Sequence, residues 1–422
     1  MLAALAAAVL TLHVSPNRLA SPGIDVPVIE SSLAVDPGDP KHLVGVAIAG
    51  DDFGPTATCA TFLSRDGGAT WTSRRLPVMQ CSDPWAIIGP KQTIVTVLAN
   101  APQLGAEDGF LVFRSGDGGA TWPLPPHNLA RYIDHDTLFA DVRDPAKPRL
   151  FALGMLLHRV GGHMRVDVFL ARSDDWITFP LVTRVTPSNL NLNTFTGAVL
   201  RDGTVVVSYG DFMPFSKGPK ARLEKGRSWL LASRDGGETF GAPLLIAEGC
   251  TNQLPVLAAD PADDTLYFTC ATPDEKRLFL YRSRDKGESW TDPLPVPAAP
   301  GETSLRAANI ATGKNGVLLV TWMSETDAAK HCNALWATAS ADGGATFTKP
   351  VRVSDGAPCN DTPKNAKILK RFDYGGGDYF GLAADRDGIF HLIWSDSRNG
   401  IYQLWSASVT VASATDQNET KK

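Results

Sequence analysis

Ser64-Arg-Asp66-Gly-Gly68-Ala-Thr70-Trp71 is a phrase that the chain repeats. It returns as SGDGGATW from Ser115 to Trp122, SRDGGETF from Ser233 to Phe240, SRDKGESW from Ser283 to Trp290 and SADGGATF from Ser340 to Phe347. A sixth copy, Ser173-Asp-Asp175-Trp-Ile-Thr-Phe179, is one residue short and lacks the glycine. The pattern S-x-D-x-G-x-T/S-W/F suits a tight hairpin tip. Glycine reaches backbone angles closed to other residues, the Ser hydroxyl and Asp carboxylate accept hydrogen bonds from turn N–H groups, and the aromatic ring anchors the tip in apolar packing. Most copies carry a single Asp, too few oxygen ligands for a calcium loop, and none ends in Gly-Lys-Ser/Thr as a phosphate-binding loop does. The phrase is therefore read as a folding staple.

The serines stand at 64, 115, 173, 233, 283 and 340, a mean spacing of about 55 residues that fits one four-stranded blade with generous loops. Between the phrases lies a second repeat, an apolar strand ending in a turn and followed by a β-rich run, at 33–50, 86–100, 138–157, 198–211, 256–271, 310–325 and 381–397. Seven such pairs predict an all-β propeller of seven four-stranded blades, with six blades plus an extension as the alternative. The last unit has Tyr402-Gln-Leu-Trp405 in the place of its third strand and then runs out. Its missing strand is expected from the N-terminal end, around Gly23 to Val28, because closing the ring removes exposed sheet edges.

The period runs without a linker from about residue 24 to 412, which makes one domain. Residues 1–23 are read as a leader and 413–422 as a polar, disordered tail. Met1 to Val14 is apolar and Ala/Leu-rich, like the apolar part of a secretory signal, and too short to span a bilayer; a truncated start is the alternative. A net charge of −5 leaves no basic footprint for nucleic acid, and 38 Gly with 30 Pro suit a turn-dense all-β chain. The six cysteines form no C-x-x-C pair of the kind that holds zinc. Cys81, Cys250 and Cys359 lie 17, 17 and 19 residues after the serine of the preceding phrase, and each has a neighbour within about 30 residues. The spacing predicts Cys59–Cys81, Cys250–Cys270 and Cys332–Cys359, one of fifteen connectivities, in a secreted or periplasmic chain; buried free thiols are the alternative.

The repeated phrase is similar to the Asp box, or bacterial neuraminidase repeat, and over nearly its whole length the chain resembles the sialidase superfamily of β-propellers. The last unit, from Gly377-Asp-Tyr379 through His391-Leu-Ile-Trp394-Ser-Asp396-Ser-Arg398, resembles the closing unit of secreted exo-α-sialidase-like proteins. The resemblance implies a tyrosine nucleophile paired with a glutamate, an aspartate acid/base and three arginines on the substrate carboxylate. It also implies Arg-Ile-Pro near the first blade, which this chain lacks; the nearest text is Asn17-Arg18-Leu19 and then Val26-Pro-Val-Ile-Glu30.

In a propeller the first strands line the central channel, so site residues are expected at their starts and in the second-to-third loops, on the face away from the hairpin phrases. Aligning the first strands puts Glu30, Asp83, His135, Phe195, Leu254, Arg306 and Tyr379 at one level, with Trp85, Asp134, Asp136, Asn193, Asn252, Gln253, Asn309 and Asp378 beside them. The resemblance then implies Tyr379 as nucleophile, Glu30 as its base, Asp83 as general acid and Arg306 as the anchor of an anionic group. Arg398 is a second guanidinium candidate, and His135, Asp136, Trp85 and Asp378 complete the substrate-binding set. A basic flap from Phe212 to Arg227 carries Lys217, Lys220, Arg222, Lys225 and Arg227 against only Glu224, with a simply solvated loop as the alternative. The reaction needs no cofactor; Ca2+ held by Asp134, Asp136, Asp83 and Glu30 is the alternative use of the ring. Two functions compete, a monomeric hydrolase acting on terminal acidic sugars of glycans and a non-catalytic propeller that binds glycan or protein.

Overall fold

Runs such as Leu43–Ala49, Val205–Gly210, Leu266–Ala271 and Phe390–Asp396 are buried along their whole length. A strand apolar on both faces needs cover on both, which a stack of sheets provides. The structure is a computed structural model that describes residues 10–52, 54–131, 133–160, 163–186, 192–211, 226–250, 256–302, 304–371 and 376–413. Seven antiparallel sheets follow one another around a ring, so the chain is a seven-bladed β-propeller.

Blade one holds Val28–Val35, Leu43–Ala49, Thr58–Ser64 and Thr72–Arg75; blade two Met79–Ile88, Thr93–Ala101, Ala106–Ser115 and His127–Arg131. Blade three holds Ile133–Asp141, Arg149–Val160, His163–Ser173 and Leu181–Arg184; blade four Asn193–Val199, Val205–Gly210, Arg227–Ser233 and Leu244–Glu248. Blade five holds Val256–Ala259, Leu266–Ala271, Leu278–Ser283 and Leu294–Val296; blade six Ser304–Thr312, Leu318–Asp327, Cys332–Ser340 and Val351–Arg352. Blade seven takes Gly381–Ala384, Phe390–Asp396 and Gln403–Ser413 from the C-terminal end. A six-residue helix, Ala366–Arg371, lies in the connection between the last two blades.

The strand that closes blade seven corrects the expectation. It is Leu10–Val14, paired with Val409 to Ser413, followed by Arg18–Leu19 against Ser406 and Trp405. Both lie inside the stretch read as a leader. Gly23 stands in a turn at φ 74° and Val28 opens blade one. The pattern explains the choice: Leu10, Leu12 and Val14 alternate with Thr11 and His13, and Leu12 is buried in the cluster that holds Phe390 and Val409.

The first strands stand side by side around the axis, and a side-chain hydrogen bond crosses each seam. Ser32 Oγ accepts from Ala86 N, Trp85 Nε1 donates to Leu138 O, Thr194 Oγ1 to His135 O and Thr196 Oγ1 to Leu257 O. Thr312 Oγ1 donates to Ala259 O, Asn309 Nδ2 to Phe380 O and Ser31 Oγ to Ile393 O, which completes the circle.

The repeated phrases join third to fourth strands, on the face opposite the starts of the first strands. Each works as a staple. In the second copy Ser115 Oγ donates to Asp117 Oδ1 at 2.6 Å and accepts from Gly119 N at 2.7 Å, while Asp117 accepts from Thr121 N at 2.9 Å and Thr121 Oγ1 at 2.6 Å. These donors, Ser115 first and then Thr121, hold the Asp117 carboxyl well below its ordinary range. The rings reach back to the preceding blade: Trp71 Nε1 donates to Ser406 Oγ and Trp122 Nε1 to Thr61 Oγ1.

All three expected disulfides are present, Cys59–Cys81, Cys250–Cys270 and Cys332–Cys359. No helix among the described residues is long and apolar enough to cross a membrane.

Candidate active site

The starts of the first strands are bent into the channel by β-bulges. Register breaks fall between Ile29 and Ser31, Ser82 and Trp85, Asp134 and Thr137, and Arg306 and Asn309. In each break one non-glycine residue has a positive φ: Glu30 at 50°, Asp83 at 44°, His135 at 48° and Ala307 at 46°. A bulge re-aims a side chain, and a left-handed non-glycine residue costs about 1–3 kcal/mol. Four blades thus carry the same strain at the same level of the axis.

Tyr379 stands just before the first strand of blade seven. The chain reaches it through Gly376 and Gly377, with φ 92° and 96°. A Cβ on Gly377 would lie 2.1 Å from Glu30 Cγ, so only glycine lets the backbone pass over that carboxylate. Gly376 O accepts from Glu30 N at 2.9 Å, and Asp378 N donates to Glu30 Oε1 at 3.3 Å. The Tyr379 phenol oxygen is buried without a hydrogen-bond partner. Burial first, and then the charges of Glu30, Asp83, Asp136 and Asp378, push its pKa well above the usual phenol value. The Tyr379 ring is tilted 47° against Trp85, with centroids 6.1 Å apart.

Asp83 is 8% exposed and its pKa is raised to about 7, mainly by burial; the neighbouring His135 opposes the rise and Asp134 adds to it. His135 N donates to Asp83 Oδ2 at 3.3 Å. Burial works against charge on His135, yet Asp134, Asp83 and Asp378 outweigh it and raise its pKa. Asp136 is buried; it accepts from Thr96 Oγ1 at 2.9 Å through Oδ2, and its Oδ1 has no partner. Burial, and then Asp83, raise its pKa well above the ordinary carboxylate value. The structure therefore gathers Tyr379, Glu30, Asp83, His135, Asp136, Asp378 and Trp85. Beside them, a cavity of about 140 Å3 is lined by Trp85, Thr137, Phe195, Asn309, Asp378 and Tyr379 among others.

The two arginines are placed otherwise than a paired anion clamp requires. Arg306 Nε donates to Glu275 Oε2 at 2.6 Å and to Ser304 Oγ at 2.9 Å, turning toward the second-to-third loop of blade five. Arg398 is held by other partners. It bonds Asp396 through Nε at 3.0 Å and Nη2 at 2.5 Å, Asn17 Oδ1 at 3.0 Å and Asp355 at 3.3 Å, with its guanidinium 4.1 Å over the Trp405 ring. Asp396, two residues before it, thus captures the second guanidinium candidate locally. Leu254, Asn252, Gln253 and the basic flap residues Lys217, Lys220, Arg222 and Lys225 lie outside the described residues. Among the described residues no group of three or more His, Cys, Asp or Glu side chains is arranged to hold a metal ion.

Three participants were not anticipated from the sequence. Gly377 had a signal in the glycine run before Asp378, Glu275 followed from the second-to-third loop rule, and Thr96 had none beyond its strand position.

No family model matches the chain, and no curated protein matches it. Solved structures do. A protein of unknown function from Dyadobacter fermentans DSM 18053 aligns with a TM-score of 0.56 at 11% identity, over 95% of this chain and 99% of that one. A Hadza microbial sialidase, Hz136, aligns with a TM-score of 0.50 at 14% identity, over 96% of this chain and 93% of that one. These likenesses show the fold.

Proposed function

We propose that the protein is a glycoside hydrolase of sialidase-like chemistry that removes terminal acidic sugars from glycans outside the cytoplasm, acting as a monomer. The observation that carries this reading is the Tyr379 phenol, buried without a partner amid Glu30, Asp83, Asp136 and Asp378. A buried polar atom left unpaired costs about 1–3 kcal/mol, and a fold that merely needed a ring there would use phenylalanine. A name of sialidase on one structure of like fold, and the reading of the hairpin phrases as Asp boxes, agree with it.

The chemistry follows from the environment of each group. A phenol whose pKa is pushed up does not ionise alone, so Glu30 takes its proton as the Tyr379 oxygen bonds the anomeric carbon. The glycosidic C–O bond breaks as Asp83, still protonated near neutrality, gives its proton to the leaving oxygen. The Asp83 carboxylate then takes a proton from water, whose oxygen attacks the anomeric carbon, and Tyr379 leaves with the proton returned by Glu30. His135 and Asp136 set the charge around Asp83. Arg306, ion-paired with Glu275, is the cation that an acidic group of the sugar draws from that pairing.

The test is turnover of a fluorogenic sialoside beside a panel of neutral glycosides. Hydrolysis of the sialoside, lowered at least about a hundredfold by Tyr379→Phe, is the expected result. No turnover of any member, or full activity in the variant, overturns the reading and leaves a propeller that binds.

A further inference from the structure

The face that carries Tyr379 has a second hollow, about 370 Å3, at the seam of blades two and three. It lies among Gln80, Ser82, Asn100, Leu98 and Ile133. Its backbone is unusual. The first strand of blade two breaks register twice, between Met79 and Ser82 and again between Ser82 and Trp85, whereas the other first strands with breaks show one each among the described residues. Gln80 has φ 52° and Asp83 has φ 44°, so two strained residues flank Ser82. One bulge is enough to aim Asp83 at the axis, as it is for Glu30 and His135. The second turns the Gln80–Ser82 segment and is not needed for closing the ring.

The described lining of this hollow is neutral. Asn100 Nδ2 donates to Gln80 Oε1, which fixes the Gln80 amide and leaves its N–H groups to offer. Ser82 adds a hydroxyl, while Leu98 and Ile133 give an apolar wall. Among the described residues no Asp, Glu, Lys, Arg or His lines it. Amide and hydroxyl groups beside an apolar wall recognise a polyhydroxylated ring, and the Asp134 carboxylate next to Ile133 disfavours a negative one. Ser82 adjoins Asp83, the group that hands a proton to the departing oxygen. We infer that this hollow receives the leaving-group sugar, a neutral pyranose, and that Gln80 and Ser82 determine specificity for it. The inference rests on the hydrolase reading for its place in the reaction.

The experiment compares two substrates with the same terminal acidic sugar, one joined to a neutral disaccharide and one to methylumbelliferone. Gln80→Asn keeps a residue that tolerates positive φ and withdraws the amide by one methylene; Ser82→Ala removes the hydroxyl. Each is expected to raise KM for the glycan substrate about tenfold, and the aryl substrate is expected to change less than about twofold. Equal changes for both substrates, or none for either, overturn the inference. If the wild type turns over neither substrate, the hydrolase reading fails by itself, and the hollow is tested by calorimetric titration with lactose. Binding weakened at least about fivefold in Gln80→Asn then supports a neutral-sugar site, and no binding or no difference overturns it.

Discussion

Asp83 holds its proton up to about pH 7 because it is buried beside other acids. Its folded pKa lies above the ordinary 3.8, so between those values the native state binds more proton than the unfolded chain. Stability from this group is therefore greatest at the acid end, declines as pH rises through that window and levels off above about 7. Asp83→Asn should remove the decline and resist urea better than the wild type at pH 8, by on the order of a few kcal/mol. Urea titrations at pH 5 and pH 8 measure it; an unchanged slope would show that the carboxyl ionises freely. In the proposed general-acid role of Asp83, kcat/KM should also fall above about pH 7, which a pH–rate profile measures. Tyr379→Phe removes an unpartnered buried oxygen and is expected to be as stable as the wild type or about 1–2 kcal/mol more so, while losing turnover. A strongly destabilised variant would mean that the oxygen is paired in solution. Counting strand starts was enough to place Glu30, Asp83, His135 and Tyr379 near one level, because the repeat fixes position along the axis. It could not foresee the whole setting of Arg398, whose partner Asn17 lies 381 residues away in sequence and near it only through ring closure.

The hairpin staple explains both its good copies and the eroded one. In the five full copies a glycine N–H reaches the serine hydroxyl, as Gly237 does to Ser233 at 2.8 Å and Gly344 to Ser340 at 2.8 Å. The short copy keeps Asp175 as the acceptor for Ile177 N and Thr178 N, at 2.8 and 2.7 Å, and puts Trp176 at φ 62°. Its ring is buried and packs on Gly89 of blade two, where a Cβ would come within 2.4 Å of it. The tryptophan that looked like damage to the motif is therefore an anchor of a different kind, invisible without knowing which blade lies beside it. Gly89→Ala should destabilise by about 1–3 kcal/mol through overpacking, whereas Gly116→Ala, with open space around its Cβ, should change stability by less than about 0.5 kcal/mol. Equal urea midpoints for the two variants would remove Trp176 from the seam.

Closure of the ring depends on residues far apart in the chain, which is why sequence patterns located the blades better than the joint. Leu10–Val14 is an apolar alternation that serves a leader or an edge strand equally well, and only the uncovered Gln403–Ser413 strand decides between them. Deleting residues 1–16 should expose that strand and uncover Phe390 and Val409, on which Leu12 packs, lowering the thermal midpoint and promoting self-association, both visible by light scattering during a melt. The disulfides act on the other side of the ring. Cys59 and Cys332 stand near the starts of third strands, Cys270 near the end of a second strand and Cys81 near the start of a first. In an up-and-down blade all of these ends share the face that carries Tyr379. The links span 22, 20 and 27 residues, each stabilising by about 3 kcal/mol through the unfolded chain. One of them has a local consequence as well. Cys81 lies between Gln80 and Ser82 in the doubly bulged strand and two residues from Asp83, so its tie to Cys59 braces the strained segment against blade one. Replacing Cys59 and Cys81 by alanine should lower stability by about 3 kcal/mol and also reduce kcat at temperatures far below unfolding, because the strain that aims Asp83 then relaxes. Replacing Cys332 and Cys359, which tie blade six to the connection before blade seven, should lower stability alike with a smaller loss of kcat. Parallel losses of activity in the two double variants, tracking stability alone, would show that the brace on Asp83 has no part in catalysis.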